Sequence, residues 1–226
     1  MQKQNGSLLT TALENSNFLS HFSFPAGQYA QLFHAEAGEH ITEDGEELAY
    51  LYYMVSGRAK LYFTLPNGKI SLIDFFEAPC FVGEMELLGA HTKSRAMQAL
   101  VPCTCLALPV RRCRTLLLND PVFLRHLCFY LAGKNNRNTS ALAQNQTFPL
   151  ANRLAAFLLL AAPGGIYREK HTQAAEYLGV SYRHLLYVLA GFTAQGFIKK
   201  EKSGYCIVNK AALLCLAQGM DPQAFS

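Results

Sequence analysis

The sequence contains no apolar run of about 18 residues, the length that would predict a membrane-spanning helix, although 50% of its 226 residues are hydrophobic. Residues 1–6 also lack the apolar segment of a secretory signal peptide. These two absences predict a protein that stays in the cytoplasm and does not associate with membranes. The hydrophobic fraction suffices for real cores, and two modest domains are the natural expectation for this length.

Cysteine pairs with the Cys-x-x-Cys spacing of a zinc site are missing, and no cysteine precedes Cys80. The seven cysteines are an odd number, and in a reducing cytosol most are expected to be free, buried thiols. His34, His40 and His91 lack the His-x-His spacing that a metal-holding cupin enzyme would use. The sequence therefore predicts no metal ligand, does not favour an enzyme, and identifies no cofactor.

The most informative pattern lies between Thr172 and Ile207. It predicts a helix, a tight turn at residues 179–181, a second helix over Tyr182–Ala194 and a short basic hairpin. Gly179 tolerates positive φ at the end of the first helix, and the Ser181 hydroxyl can accept from an unpaired N–H of the second. Such a unit places its second helix in the DNA major groove. DNA binding is therefore predicted, the alternative being a generic helical hairpin.

The outward positions of the second helix and the hairpin supply the candidate DNA contacts. Arg183 lies in the first turn, where its planar guanidinium can donate two hydrogen bonds to a guanine. The hairpin lysines are suited to phosphates, which carry no base information. The basic excess of the chain falls in its last third, as phosphate attraction requires. The predicted DNA-binding residues are Ser181, Tyr182, Arg183, Leu186, Tyr187, Lys199, Lys200 and Lys202.

Residues 34–108 consist of short segments rich in β-forming residues, separated by regular turn signals. This pattern predicts an antiparallel β jelly roll. The fold class is therefore α+β: an N-terminal jelly roll, a long helix and a C-terminal winged helix-turn-helix. The predicted domains are a β-roll at 1–115, a dimerisation helix at 116–147 and a DNA-binding domain at 148–226. The predicted strands are Tyr50–Val55, Arg58–Leu65, Lys69–Phe76 and Met97–Leu108.

Beyond Asp120 the apolar period changes to alternating steps of four and three, which predicts a long helix over roughly Pro121–Gln146. Asparagines in such a seam fit a two-stranded pairing that fixes register. A parallel homodimer is favoured, the alternative being a helix that lies on its own barrel. Pro149 ends this helix, and an apolar helix over Leu150–Ala162 follows. The predicted dimerisation residues are Leu124, Cys128, Leu131, Asn135, Asn138, Leu142 and Asn145.

Three motifs in order, Leu51–Gly57 (LYYMVSG), Phe81–Glu84 (FVGE) and Gly179–Ser181 (GVS), resemble the CRP/FNR superfamily of bacterial transcription regulators. The resemblance covers about residues 30–210. It implies a homodimer whose barrel senses a signal and whose long helices join the subunits. It also implies a palindromic DNA site and regulation of transcription by contact with RNA polymerase.

The sensing residues depart from the family pattern. Cyclic-nucleotide members resemble one another in a Gly-Glu that holds the ribose and a later Arg-Ser whose arginine pairs with the phosphate. Here the later pair reads Ser94-Arg95, and a shift of one residue turns a strand side chain to the opposite face. A cyclic nucleotide is therefore not favoured, and Glu84 is interpreted as a carboxylate that satisfies backbone N–H groups in a barrel turn. The N-terminal cysteine cluster of the iron–sulfur members is absent.

Thiol chemistry remains a second interpretation of the barrel, because Cys103 and Cys105 would share one face of a strand. The candidate ligand or sensor residues are Gly83, Glu84, Ser94, Arg95, Cys80, Cys103 and Cys105. The alternative function is a cyclic-nucleotide-binding module that carries a protein-interaction winged helix.

Overall fold

The structure is a computed structural model that describes residues 1–4, 6–65, 67–90, 93–218 and 220. The chain forms two compact units. The first unit comprises Met1–Tyr62 and Phe76–Gly133, and the second comprises Phe63–Phe75 and Lys134–Ser226. The predicted boundary at residues 115 and 116 falls inside a helix, Val110–Leu118. No helix in the described part of the chain is long and apolar enough to cross a membrane.

Two antiparallel sheets build the N-terminal β-roll. The strands are β1 (Gln2–Gln4), β2 (Gln31–Ala35), β3 (His40–Thr42), β4 (Tyr50–Ser56), β5 (Arg58–Thr64), β6 (Ile70–Glu77), β7 (Cys80–Val82), β8 (Ala96–Ala99) and β9 (Cys103–Pro109). One sheet has the order β1-β2-β9-β4-β7 and the other β3-β8-β5-β6. Met54 and Cys105 from the first sheet and Ala59 and Met97 from the second share one core, which fills the interior of the roll.

The outer face of the five-stranded sheet packs against helices. These are α1 (Ser7–Glu14), the 3₁₀ helices Phe18–His21 and Ala26–Gln28, α2 (Glu84–Leu87), α3 (Val110–Leu118) and α4 (Pro121–Thr147). Because side chains alternate along a strand, Leu106 on β9 faces this outer core while its neighbour Cys105 faces the interior. Phe123 and Leu127 fix the start of α4 against the same outer core.

The buried carboxylate of Asp120 determines where α4 begins. It accepts hydrogen bonds from the backbone N–H of Val122 at 2.9 Å and from the N–H and hydroxyl of Ser23 at 2.7 and 2.8 Å. Burial opposes ionisation, but these hydrogen bonds prevail and hold the pKa of Asp120 below its ordinary value. Asp120 thus caps the long helix and ties the N-terminal segment to it.

The second unit contains the C-terminal elements. They are α5 (Leu150–Ala161), β10 (Ile166–Tyr167), α6 (His171–Tyr177), α7 (Tyr182–Ala194), β11 (Ile198–Glu201), β12 (Gly204–Ile207) and α8 (Lys210–Ala217). The three strands form an antiparallel sheet of order β10-β12-β11. A helix-turn-helix flanked by β10 and followed by the β11–β12 hairpin is a winged helix. The predicted α+β fold class is therefore confirmed.

Most predicted elements lie within one or two residues of those observed, but the predicted strand Met97–Leu108 is wrong. It consists of β8 and β9, which residues 100–102 separate. Leu100 leaves the ladder and donates its N–H to the carbonyl of Arg58, and Pro102 has no N–H to continue the pairing. Because residues 100–102 are apolar, the sequence pattern did not show that the strand is interrupted there. The sequence interpretation also named none of the shorter elements β1, β2, β3, β7, β10, α2, α3 and α8.

Candidate nucleic-acid interface and sensor region

The helix-turn-helix has a tight, well-defined turn. Gly179 adopts φ 62°, and the N–H of Val180 donates to the carbonyl of Ala175 at 2.9 Å. The hydroxyl of Ser181 accepts from the N–H of His184 at 3.2 Å. Ser181 is therefore the N-cap of α7, and the predicted roles of Gly179 and Ser181 in the backbone are confirmed.

Small residues allow α6 and α7 to pack closely. Ala174 and Ala175 on α6 are buried, and so are Leu185, Leu189 and Phe192 on α7. The buried residues of α7 lie at steps of four and three, so they form one stripe along the helix. This packing fixes which side of α7 faces outward.

The outward face of α7 carries the predicted base-reading residues. Arg183 is exposed, Tyr182 is 50% exposed and Tyr187 is 78% exposed, whereas Leu186 is half-buried. The sequence interpretation missed Ala190, which is also exposed and continues the stripe of Arg183 and Tyr187 at helical spacing. Its signal was the helical period measured from Arg183.

The basic hairpin lies close to the start of α7. Lys199, Lys200 and Lys202 are all exposed, and Lys200 pairs with Tyr205 across the hairpin. The ring of Tyr205 lies 5.8 Å from that of His171, which in turn lies 6.4 Å from that of Tyr182. Burial, and then the Lys200 ammonium, lower the pKa of His171. These ring contacts connect the hairpin to Tyr182, the first residue of α7.

Arg153 on α5 links two backbone segments of the second unit. Its Nε donates to the carbonyl of Phe148 at 3.0 Å, and its Nη1 donates to the carbonyl of Leu178 at 2.5 Å. Phe148 lies between α4 and α5, and Leu178 ends α6. Burial lowers the pKa of Arg153, but a guanidinium remains charged, and charged donors make strong hydrogen bonds. The sequence interpretation missed this residue.

The predicted dimerisation residues fall on two sides of α4. Leu124 and Leu131 are partly buried and pack against the outer core of the first unit. Asn145 is half-buried, whereas Cys128, Asn135, Asn138 and Leu142 are exposed.

Exposed residues at steps of four and three along α4 define a stripe, which we call the α4 stripe. It consists of Cys128, Ala132, Asn135, Thr139 and Leu142. Phe129, which is 69% exposed, lies beside it.

The Gly83-Glu84 turn of the β-roll is tightly packed. Gly83 is buried at φ 91°, and a Cβ there would lie 2.5 Å from a methyl carbon of Leu48. Glu84 begins α2 and is only 2% exposed. A buried carboxylate in a turn is consistent with a structural role for Glu84.

Ser94 and Arg95 precede β8 and do not belong to the paired strand. Ser94 is buried, and its backbone N–H donates to the carbonyl of Glu46 at 2.8 Å. The carbonyl of Arg95 accepts from the hydroxyl of Thr42 at 2.7 Å, and its side chain is half-buried. The backbone of both residues is therefore held by neighbouring segments, and the orientation of Arg95 toward a ligand stays a prediction.

The three candidate sensor cysteines lie together in the interior of the β-roll. Cys80, Cys103 and Cys105 are buried and belong to one core cluster. Burial raises the pKa of Cys103 to about 11 and that of Cys105 well above its ordinary value. The thiolate is the reactive form of cysteine, so burial disfavours the reactive form of Cys103 and Cys105. This geometry favours a packing role.

The described part of the chain contains no cluster of metal-ligating side chains. No group of three or more histidine, cysteine or carboxylate side chains there could hold a metal ion. His34 lies near Glu36 and His40 near Glu43, with nitrogen–oxygen distances of 3.4 and 3.1 Å. His91 lies outside the described residues.

The chain is similar in sequence to known proteins. The family model of the cyclic nucleotide-binding domain matches residues 32–120. Regulatory protein YeiL of Escherichia coli O157:H7 is 54% identical over 211 residues, which are 93% of this chain and 96% of that protein.

Two solved structures show the same fold at lower identity. TTHB099, a CRP-family transcriptional regulator from Thermus thermophilus, is 23% identical with a TM-score of 0.61, over 82% of this chain and 96% of its own. A CRP/FNR-family protein from Eubacterium rectale is 14% identical with a TM-score of 0.68, over 95% of each chain. The β-roll, the long helix and the winged helix, together with the extended match to YeiL, show that this chain belongs to the CRP/FNR family of transcription regulators.

Proposed function

We propose that this chain regulates transcription by binding a palindromic DNA site as a homodimer, with α7 in the major groove. The exposed face of the capped helix α7 carries the proposal. Arg183 and Tyr187 project from it, and the three hairpin lysines lie on the same unit. A rigid helix presents side chains to base edges, whereas lysines attract phosphates without reading sequence. Family membership supports this assignment.

The α4 stripe supports the homodimer. Leu142 is 62% exposed, and Phe129 beside the stripe is more exposed still. Large apolar side chains at this exposure are covered when a second copy pairs along the helix. Two copies related by a two-fold axis would present two α7 helices to two half-sites, which makes the DNA site palindromic. We also propose that the protein acts in the cytoplasm and that it contacts RNA polymerase.

Selection from a random-sequence duplex pool tests DNA recognition directly. The full chain is incubated with the pool, bound duplexes are recovered and sequenced, and the enriched site is measured by fluorescence anisotropy. We expect a symmetric motif bound at least about 1,000-fold more tightly than random duplex. The alternative, a cyclic-nucleotide-binding module with a protein-interaction winged helix, predicts no enrichment and only weak binding to all duplexes.

Cyclic AMP is expected not to bind tightly to the β-roll. The arginine that would pair with the phosphate is displaced by one position, and Arg95 precedes β8. Isothermal titration of the full chain with cyclic AMP should give no saturable heat at micromolar concentrations. A micromolar dissociation constant with one site per chain would contradict this prediction and restore the cyclic nucleotide as the signal.

Replacing Arg153 by methionine is expected to lower the free energy of unfolding by about 1–3 kcal/mol, because the carbonyls of Phe148 and Leu178 lose their charged donor. Specific DNA affinity should fall as well, since the segment before α5 is no longer tied to the end of α6. Urea unfolding and anisotropy measure the two effects. Arg168→Met is the matched control, because Arg168 is exposed in the same unit. Unchanged stability in Arg153→Met would contradict the bridging role.

A further inference from the structure

A cavity of about 520 Å³ lies on the outer face of the five-stranded sheet, under α1. His34 and Thr104 pair across β2 and β9 and form part of its floor. Their neighbours on the strands, Phe33 and Cys105, belong to the interior core of the β-roll. The cavity therefore lies on the opposite side of the sheet from that interior, and neither Gly83 nor Glu84 lines it.

The walls of the cavity are largely apolar and carry almost no charge. Leu8 and Ala12 of α1 form one side, and Leu32 and Val55 of the sheet contribute to the other. Among the described residues no lysine, arginine, aspartate or glutamate lines it, so His34 is the one titratable side chain they contribute. Binding sites for phosphates and carboxylates use charged donors. This lining instead matches a neutral ligand with an apolar body, and the volume lies in the range of small-molecule sites.

A few polar atoms in the lining retain hydrogen-bonding capacity. The hydroxyl of Ser16 is buried and has no partner among the described residues. The Thr104 hydroxyl and His34 Nδ1 are 3.4 Å apart, which is long for a hydrogen bond. The buried Ser16 hydroxyl without a partner requires an explanation, and a bound molecule supplies one. These groups would orient one or two polar atoms of the ligand.

Two features of the surrounding structure fit a binding site. The pairing of β4 with β9 shifts register between Met54 and Ser56, and the cavity is lined by Val55 and Ser56 at this irregularity. Such bulges are frequent next to functional sites. Helix α1 has no fully buried residue, and Leu8 is 56% exposed although it lines the cavity. A ligand between α1 and the sheet would cover this apolar side chain.

We propose that this cavity binds a neutral, mainly apolar small molecule with one or two hydrogen-bonding groups, and that the molecule is a signal sensed by the regulator. The sensing part rests on the proposed function. The binding part stands on the cavity alone, so the two can be tested separately.

N-phenyl-1-naphthylamine, a neutral aromatic amine that fluoresces in apolar surroundings, is a suitable probe. Titration of the full chain without DNA should show saturable binding at one site per chain. Ala12→Phe fills the cavity and should weaken binding about tenfold or more, whereas Ala37→Phe, at an exposed residue outside the lining, should not. Leu8→Gln changes an exposed side chain that the fold does not require, so it should weaken binding without unfolding the protein.

Unchanged binding in both Ala12→Phe and Leu8→Gln, or no saturable binding by the unaltered chain, would overturn the proposed site. DNA affinity is then measured with and without saturating probe on the selected duplex. A several-fold change that Ala12→Phe abolishes supports the sensing role, and no change removes it. If the chain does not bind DNA at all, the proposed function fails while the probe titration still decides the cavity.

Discussion

Replacing Phe129 and Leu142 together by lysine is expected to release monomers whose affinity for the selected duplex is lower by about 100-fold or more. Both side chains project from α4 into solvent, so neither is needed for the fold of a single chain. In a parallel pair of helices, two new ammonium groups would lie close together at each of the two positions. A monomer has one recognition helix and loses the effective concentration that the second half-site provides.

Multi-angle light scattering gives the mass and anisotropy gives the DNA affinity. Leu116→Lys is the matched control, because Leu116 is also an exposed leucine but lies on α3. The control should remain dimeric with unchanged DNA binding. A double variant with the dimer mass would show that the α4 stripe is not the interface.

The heptad pattern predicted α4 well but not which of its faces is available to a partner. Leu124 and Leu131 have the spacing of an interhelical seam, yet they pack against the outer core of their own unit. A helix that packs on its own domain and a helix that pairs with a copy use the same apolar period. Only the tertiary structure separates the two uses. It leaves Ala132 and Thr139, rather than Leu124 and Leu131, exposed for the proposed pairing.

Local chemistry explains why the helix-turn-helix was predicted closely. Gly179 and Ser181 determine the turn through backbone conformation and capping, which depend on residues only a few positions apart. Arg153 and the cavity under α1 depend instead on distant segments. The carbonyl of Leu178 is brought to Arg153 by the packing of the second unit. Leu8 and Val55 line the same cavity only once the sheet has formed. Neither could be predicted from residue spacing.

Arg183→Ala is expected to relax sequence preference at one base pair in each half-site. Arg183 is exposed in the first turn of α7, the part of a recognition helix that reaches base edges. A guanidinium that donates two hydrogen bonds to guanine O6 and N7 contributes about 1–3 kcal/mol of discrimination. A homodimer loses this contribution at both half-sites. Affinity for the selected duplex should therefore fall about tenfold or more, while affinity for random duplex changes little.

Lys200→Ala provides the contrasting variant. Lys200 is exposed on the hairpin and is expected to contact a phosphate, so its loss should weaken selected and random duplexes alike. The slope of log affinity against log salt should become shallower by about one unit per lost contact. Anisotropy with the selected duplex, its single-base variants and random duplex, each at several salt concentrations, separates the two roles. Equal weakening of selected and random duplexes by Arg183→Ala would identify Arg183 as a phosphate contact, and base reading would then fall to Tyr182 and Tyr187.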